Sequence, residues 1–296
     1  MDLGGTKIEA IALDVGGQVL AQKRVPTPHN YTASIEAIAS LVESFEQTLG
    51  RRASVGIGTP GALSPATGLM KNCNSVWLNG RPLKVDLERR LGRPLRLHND
   101  ANCFALSEAR DGAGQGERGV FGAIIGTGTG GGIVIDGQIW NGKNAIGGEW
   151  GHNPLPWMRE GEWPGPTCWC GKNGCIELYL SGPGLARDYH ESTGETLAPP
   201  EIVARAEQGA AAADASLHRY EDRMARALAS VINLLDPDVI VLGGGLSKIE
   251  RLYRRVPPLL GRYVFSDRVD TRLVPPLHGD ASGVRGAAWL WDADAA

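Results

Sequence analysis

Asp2-Leu3-Gly4-Gly5-Thr6-Lys7 runs into the apolar stretch Ile8 to Leu13, turns at Asp14-Val15-Gly16-Gly17 and returns at Gln18 to Leu20. A second copy of the pattern begins at residue 121. There Phe121 to Ile125 reads as a strand, Gly126-Thr127-Gly128-Thr129-Gly130-Gly131-Gly132 as a tight turn and Ile133 to Ile135 as the next strand. Asp136-Gly137 is then a hairpin turn and Gln138 to Trp140 the return. The chain is internally duplicated at the level of strand, turn and strand. Each copy continues into alternating helix and strand patterns, so the expected fold is α/β, with two similar domains facing one another across a cleft.

In the first half, Ile35, Ile38, Val42, Phe45 and Leu49 recur at helical spacing, and Ser54 to Gly58 reads as a strand ending in Thr59-Pro60-Gly61. Leu83, Leu87 and Leu91 mark a second helix, Leu95 to Leu97 a short strand, and Ala101 to Ala109 a third helix starting directly after Asn99-Asp100. Asn99 and Asp100 therefore stand at the carboxyl end of a strand, the edge where open α/β sheets bind ligands. The alternative role for Asp100 is a helix N-cap. In the second half a long helix from about Ala212 to Leu235 precedes a strand at Val239 to Leu242 and the turn Gly243-Gly244-Gly245.

Three glycine clusters at strand ends, in a chain with 41 glycines, let an anionic or flat ligand approach the backbone. They point to the phosphates and adenosine of a nucleotide. Neither a Gly-Lys-Ser/Thr loop nor a G-x-G-x-x-G turn entering a helix is present, which disfavours the P-loop and dinucleotide readings.

The 296 residues are enough for about two domains. With a net charge of −3 and a pI near 6.1, the chain lacks the electrostatic footprint of a nucleic-acid binder. No apolar run reaches the roughly 20 residues of a membrane span, and no basic-then-apolar leader precedes Asp2, so a cytoplasmic location is expected.

Three of the five cysteines, Cys168, Cys170 and Cys175, lie in one short segment after His152. Three sulfurs and one imidazole make a closed tetrahedral zinc set, structural because no position stays open for water. A disulfide pair, or three reduced thiols in a loop, are the rival readings. Glu149 and Glu177 flank the cluster within three residues, so a metal there would hold two acids in fixed relation. The bland roles are a helix-start acid for Glu149, a surface acid for Glu177 and a solvated charge for Lys7. The long stretch Trp157 to Thr167 between His152 and Cys168 reads as a flexible lid or interface loop.

Taken together, Asp2 to Lys7, Gly58-Thr-Pro-Gly61, Asn99-Asp-Ala-Asn102, Gly126 to Gly130, Glu149-Trp-Gly-His152, the cysteine cluster with Glu177, and Gly243 to Gly245 resemble the ROK family of sugar kinases nearly end to end. Asn72 to Gly80 and Glu149 to Trp157 are most similar to the bacterial fructokinase (manno/fructokinase) branch, with the N-acetylglucosamine kinase branch next. The resemblance implies a two-domain actin-like ATPase (ribonuclease H-like) fold with an interdomain cleft and a structural zinc loop. It divides the chain into 1–115 plus 284–296, and 116–283 with the zinc loop.

It also implies ATP- and Mg2+-dependent phosphorylation of a hexose at O6, with D-fructose as first choice, mannose or glucose as further substrates, and N-acetylglucosamine kinase or glucokinase as alternatives. Asp100 becomes the general base, and Asn99, Asp100, Glu149, His152 and Glu177 the sugar contacts. Asp2 supports magnesium through water. Gly4, Gly5, Thr6 and Lys7, with Gly126, Thr127, Gly128, Gly130, Gly131 and Gly132, cradle phosphate; Gly243, Gly244 and Gly245 lie against adenosine. His152, Cys168, Cys170 and Cys175 hold Zn2+. A homodimer is implied, with no nucleic acid or membrane partner. The reading of a different class is a non-catalytic sugar-sensing regulator. DNA-binding members of the family carry a helix-turn-helix for which the sequence shows no room. The family also carries apolar residues before its first Asp, and an apolar extension before Met1 is expected to add stability.

Overall fold

A computed structural model describes residues 1–291 of the chain. Its strands are β1 (Asp2–Leu3), β2 (Lys7–Leu13), β3 (Val19–Pro26), β4 (Gly56–Thr59), β5 (Ala62–Leu63), β6 (Met70–Lys71), β7 (Arg96–Asn99), β8 (Gly119–Ile125), β9 (Thr129–Ile135), β10 (Gln138–Ile139), β11 (Val239–Gly243) and β12 (Arg272–Val274). The α-helices are α1 (Tyr31–Leu49), α2 (Leu83–Leu91), α3 (Asp100–Asp111), α4 (Glu177–Leu180), α5 (Gly182–Thr193), α6 (Pro199–Glu207), α7 (Ala211–Leu235), α8 (Arg251–Arg255), α9 (Pro257–Leu260) and α10 (Ser282–Ala288).

The duplication read from the sequence is visible as topology. One five-stranded sheet runs β3-β2-β1-β4-β7 and the other β10-β9-β8-β11-β12. In each, three consecutive strands are followed by two that arrive through helical crossovers. The crossover strands pair in parallel, β1 with β4, β4 with β7, β8 with β11 and β11 with β12. Such strands are covered on both faces, which is why β11 is the uninterrupted apolar run Val239-Ile240-Val241-Leu242 and is buried throughout.

The chain forms two compact units, one from residues 1–116, 132–147 and the segment from 280 on, the other from 117–131 and 148–279. Of the return segment expected at 284–296, residues 292–296 lie outside the described residues. In the first unit, α1 begins where the Asn30 side chain accepts the Ala33 N–H and ends at Gly50, whose φ of 67° breaks the helix. Its Ile35, Ile38, Leu41 and Val42 pack with Leu3, Ile8, Ile57, Leu83 and Leu87. Helix α10 lies directly on α3: a Cβ on Gly286 would fall 1.6 Å from the Cys103 carbonyl oxygen, so only glycine permits that approach.

Strand β1 has two residues between the longer β2 and β4. The Met1 ammonium donates to Gly56 O at 2.7 Å, and burial pulls its pKa down to about 6. A cavity of about 430 Å³ beside it is lined by Ile11, Leu13, Val42, Phe45, Val55 and Trp291.

Candidate active site and metal centre

In the first unit, β7 ends at Asn99 and α3 begins at Asp100 with no residue between. Asn99 occupies the cap position: its Oδ1 accepts the Ala101 N–H at 2.9 Å, and its Nδ2 donates to Gly61 O at 3.1 Å. Asp100 is therefore not the cap. It is the acid of the first turn, half-buried, its Oδ1 also reached by the Ala101 N–H at 2.8 Å. Asp2, next to the first glycine turn, is likewise half-buried; burial pushes its carboxyl up, against the lowering pull of the Met1 ammonium. Beside it on β2, Glu9 is 2 % exposed and accepts from Gln22 Nε2 at 2.7 Å and Arg24 at 2.7 Å, with the Lys7 ammonium 3.6 Å away.

In the second unit the four expected metal ligands converge. The donor atoms of His152, Cys168, Cys170 and Cys175 all lie within 4.8 Å of one another. Cys168 Sγ is 3.7 Å from His152 Nδ1, and Cys170 Sγ 3.6 Å from Cys175 Sγ. A tetrahedron with bonds of about 2.3 Å has edges of roughly 3.8 Å, so these separations suit zinc. They do not describe a disulfide: all five cysteines are free. Burial pushes the Cys175 thiol up to about 12 and also raises Cys168, whereas Cys170 is lowered, against its burial, by the Lys172 backbone N–H and the neighbouring sulfurs. The donor set fits Zn2+ and closes it to further ligands.

The two flanking acids are set by this loop. Glu149 precedes Trp150, which is 5 % exposed, donates through Nε1 to Gly130 O at 2.7 Å and stands edge-on to Phe121. Trp150 is thus a core anchor for the segment that carries Glu149 and His152. Glu177 opens α4 two residues after Cys175. Its Oε2 accepts the Thr129 N–H at 2.9 Å and its Oε1 the Trp169 indole N–H at 3.0 Å.

The second glycine turn is shorter than the sequence implied. Residues 126–128 turn, whereas Thr129 to Gly132 belong to β9. Gly130, Gly131 and Gly132 are therefore strand residues. At Gly131 a Cβ would stand 2.8 Å from both Gly148 O and the Trp150 ring, and at Gly132 it would meet the Ala101 carbonyl at 2.4 Å, so close packing already requires these two glycines. At the third cluster Gly244, with φ +81°, approaches Ile125 O as tightly.

The stretch from Trp157 to Thr167 is not a free lid. Glu162 in its middle is 8 % exposed and is gripped by Arg226 at 2.8 Å on both oxygens and by Arg223 at 2.8 Å. Arg226, 1 % exposed, also donates to Trp157 O at 2.9 Å, and Tyr179 donates to Glu162 O at 2.7 Å. These side chains hold Glu162 well below the usual carboxylate range, at about 2, against the raising effect of its burial. The sequence reading missed this network, Thr129 and Trp169. An acid inside a Trp/Pro/Gly-rich segment was the available signal for Glu162.

These parts define a duplicated α/β protein of the actin-like class, with an acid at a strand end in one unit and a His/Cys cluster that suits zinc in the other. The ROK family profile matches residues 1–294, and the chain belongs to the ROK family of sugar kinases. It is 42 % identical over 294 residues to an N-acetyl-D-glucosamine kinase of Salmonella newport, covering 98 % of this chain and 97 % of that one. Among solved structures it resembles a ROK hexokinase from Thermus thermophilus, at 34 % identity and TM-score 0.85, covering 97 % of this chain and 95 % of that one. A ROK glucokinase from Streptomyces griseus in complex with glucose and AMPPNP gives 30 % identity and TM-score 0.78, covering 98 % and 97 %. The fructokinase likeness expected from Asn72 to Gly80 and Glu149 to Trp157 finds no support among these relatives. Among the described residues no helix is long and apolar enough to cross a membrane.

Proposed function

We propose that this protein transfers the γ-phosphoryl group of ATP to O6 of N-acetylglucosamine. What carries the choice of sugar is 42 % identity, extending over all the segments named above, to N-acetyl-D-glucosamine kinases. Glucose is the second reading, favoured by the glucokinase of similar fold that was crystallised with that sugar. Fructose, the first choice on motif likeness, ranks behind both.

Phosphoryl transfer asks for in-line positioning, charge neutralisation and an acceptor for the hydroxyl proton. Asp100 takes the O6 proton, and Asn99, with one amide hydrogen left over, binds a neighbouring hydroxyl. Glu149, His152 and Glu177 bind the remaining polar groups of the sugar. In the turns Gly4 to Lys7 and Gly126 to Gly128 the Gly4 N–H is given to Lys7 O and the Gly126 N–H to Gly128 O, so phosphate oxygens are received by the N–H groups of Gly5, Thr6, Thr127 and Gly128; Gly130 to Gly132 back the second turn as strand residues, and Gly243 to Gly245 give adenosine a flat approach. Asp2 would support Mg2+ through water. His152, Cys168, Cys170 and Cys175 would hold Zn2+, which with its ligand set closed would supply no Lewis acidity and would fix the loop between the two glutamates. The nucleotide and the reduced thiols suit a cytoplasmic enzyme. It acts as a homodimer, for which Phe265 and Leu234, exposed to 100 % and 83 %, offer an apolar surface on the second unit.

A coupled assay across N-acetylglucosamine, glucose, mannose and fructose tests the reading. N-acetylglucosamine is expected to show the highest kcat/KM, by about tenfold or more over fructose. A higher value for fructose would overturn it.

A further inference from the structure

We propose that Trp169 is a positioning residue that fixes the carboxylate of Glu177 for the sugar. The inference rests on the reading of Glu177 as a sugar contact.

Trp169 lies between two metal ligands, Cys168 and Cys170, and is 69 % exposed. Hydrophobic burial does not explain a large apolar side chain in that place. Its two tethers do. The indole N–H donates to Glu177 Oε1 at 3.0 Å, and the ring stands edge-on to His152, 5.0 Å between centroids. One side chain thus links the imidazole ligand of the metal loop to the acid beyond it.

The other oxygen of Glu177 is fixed from the first residue of β9. Thr129 N–H donates to Oε2 at 2.9 Å, and a Cβ on Gly128 would sit 2.6 Å from the same oxygen, so a side chain at 128 would push the carboxylate out of this position. With one donor on each oxygen the carboxylate plane has a single orientation. Each oxygen keeps one acceptor site, the pattern that receives two neighbouring hydroxyls of a hexose. Without the Trp169 donor, Glu177 can rotate about its last torsion, which is soft. The metal loop then reaches the sugar through this indole as well as through the backbone.

The test uses the full-length zinc-loaded protein, with N-acetylglucosamine or whichever hexose the assay above ranks first. Trp169→Phe keeps the ring and removes the N–H. It is expected to retain one zinc per chain by elemental analysis and to raise the sugar KM, and the sugar Kd measured calorimetrically without ATP, about tenfold, the usual worth of a hydrogen bond to a charged group. The ATP KM and kcat should stay within about twofold. Unchanged sugar affinity with zinc retained overturns the inference. So does an affinity loss that follows zinc loss and is reversed by added zinc.

Glu177→Ala separates the two layers. If it leaves sugar affinity intact, the sugar contact at Glu177 is wrong. If it weakens affinity while Trp169→Phe does not, only the role of Trp169 falls. Adding Trp169→Phe to Glu177→Ala should cause no further loss, since the indole acts through that carboxylate; an additive loss overturns the proposal.

Discussion

Asp100 and Glu177 are both acids at helix starts, yet the molecule places them by different means. Asp100 follows β7 directly, with Asn99 capping the twelve-residue helix α3, so its position comes from a strand-to-helix junction. Glu177 opens the four-residue helix α4, which is too short to fix anything alone. Its carboxylate takes one donor from β9 and one from a loop whose cysteines converge with His152. A junction of regular elements orients a side chain through backbone hydrogen bonds already made. A loop lacks these, and a metal or a buried ion network must replace the missing order.

Metal removal tests that contrast across a whole unit. Stripping zinc with a strong chelator should weaken sugar binding by about 100-fold and lower the melting transition of the second unit, because the loop loses its only covalent-strength restraint. Calorimetry and sugar titration on the metal-free protein check this; unchanged values would remove the loop's special status. Zinc in place of magnesium should not sustain turnover.

Asp100→Asn probes the other side. The amide can still accept the Ala101 N–H but is no longer a base, so kcat should fall about 10³-fold with melting temperature and sugar KM nearly constant. A steady-state rate close to wild type would sink the assignment.

Glu162→Gln asks how far the ion network, rather than zinc, orders the loop. It leaves Arg226, 1 % exposed, with a charge partner missing, and is expected to cost about 3 kcal/mol in urea unfolding. The same group sets an acid limit. Its carboxyl titrates near 2 in the folded chain against 4.5 ordinarily, so its contribution is complete above pH 4.5 and is lost as pH falls from there toward 2. The Gln variant should show a flatter loss of stability over that window; an identical pH dependence would mean that the network does not carry the loop.

Much of this was legible beforehand, and the reasons are local. Strand and helix positions follow from apolar periodicity: α2 spans the expected Leu83 to Leu91, and β11 extends the expected strand only to Gly243. The convergence of His152 with the three cysteines was foreseeable because cysteine is rare and its donor chemistry narrow. Three other features depended on long-range contact. Gly130 to Gly132 looked like a phosphate turn because a glycine needed for close packing and one needed for a ligand are the same letter. Trp157 to Thr167 looked free because its anchors, Arg223 and Arg226, come from α7 more than 50 residues later. For Trp169, nothing in its spacing names Glu177 as its partner.

By itself, the sequence determined the strand and turn pattern of each copy, the acid directly after β7 and the cluster of three cysteines, each of them a property of residues within a few positions of one another. Only the tertiary structure decided which glycines sit inside β9, what pins the loop around Glu162 and which donors clamp Glu177. Those outcomes depend on atoms brought within 3 Å from distant parts of the chain, and local propensity carries no information about such meetings.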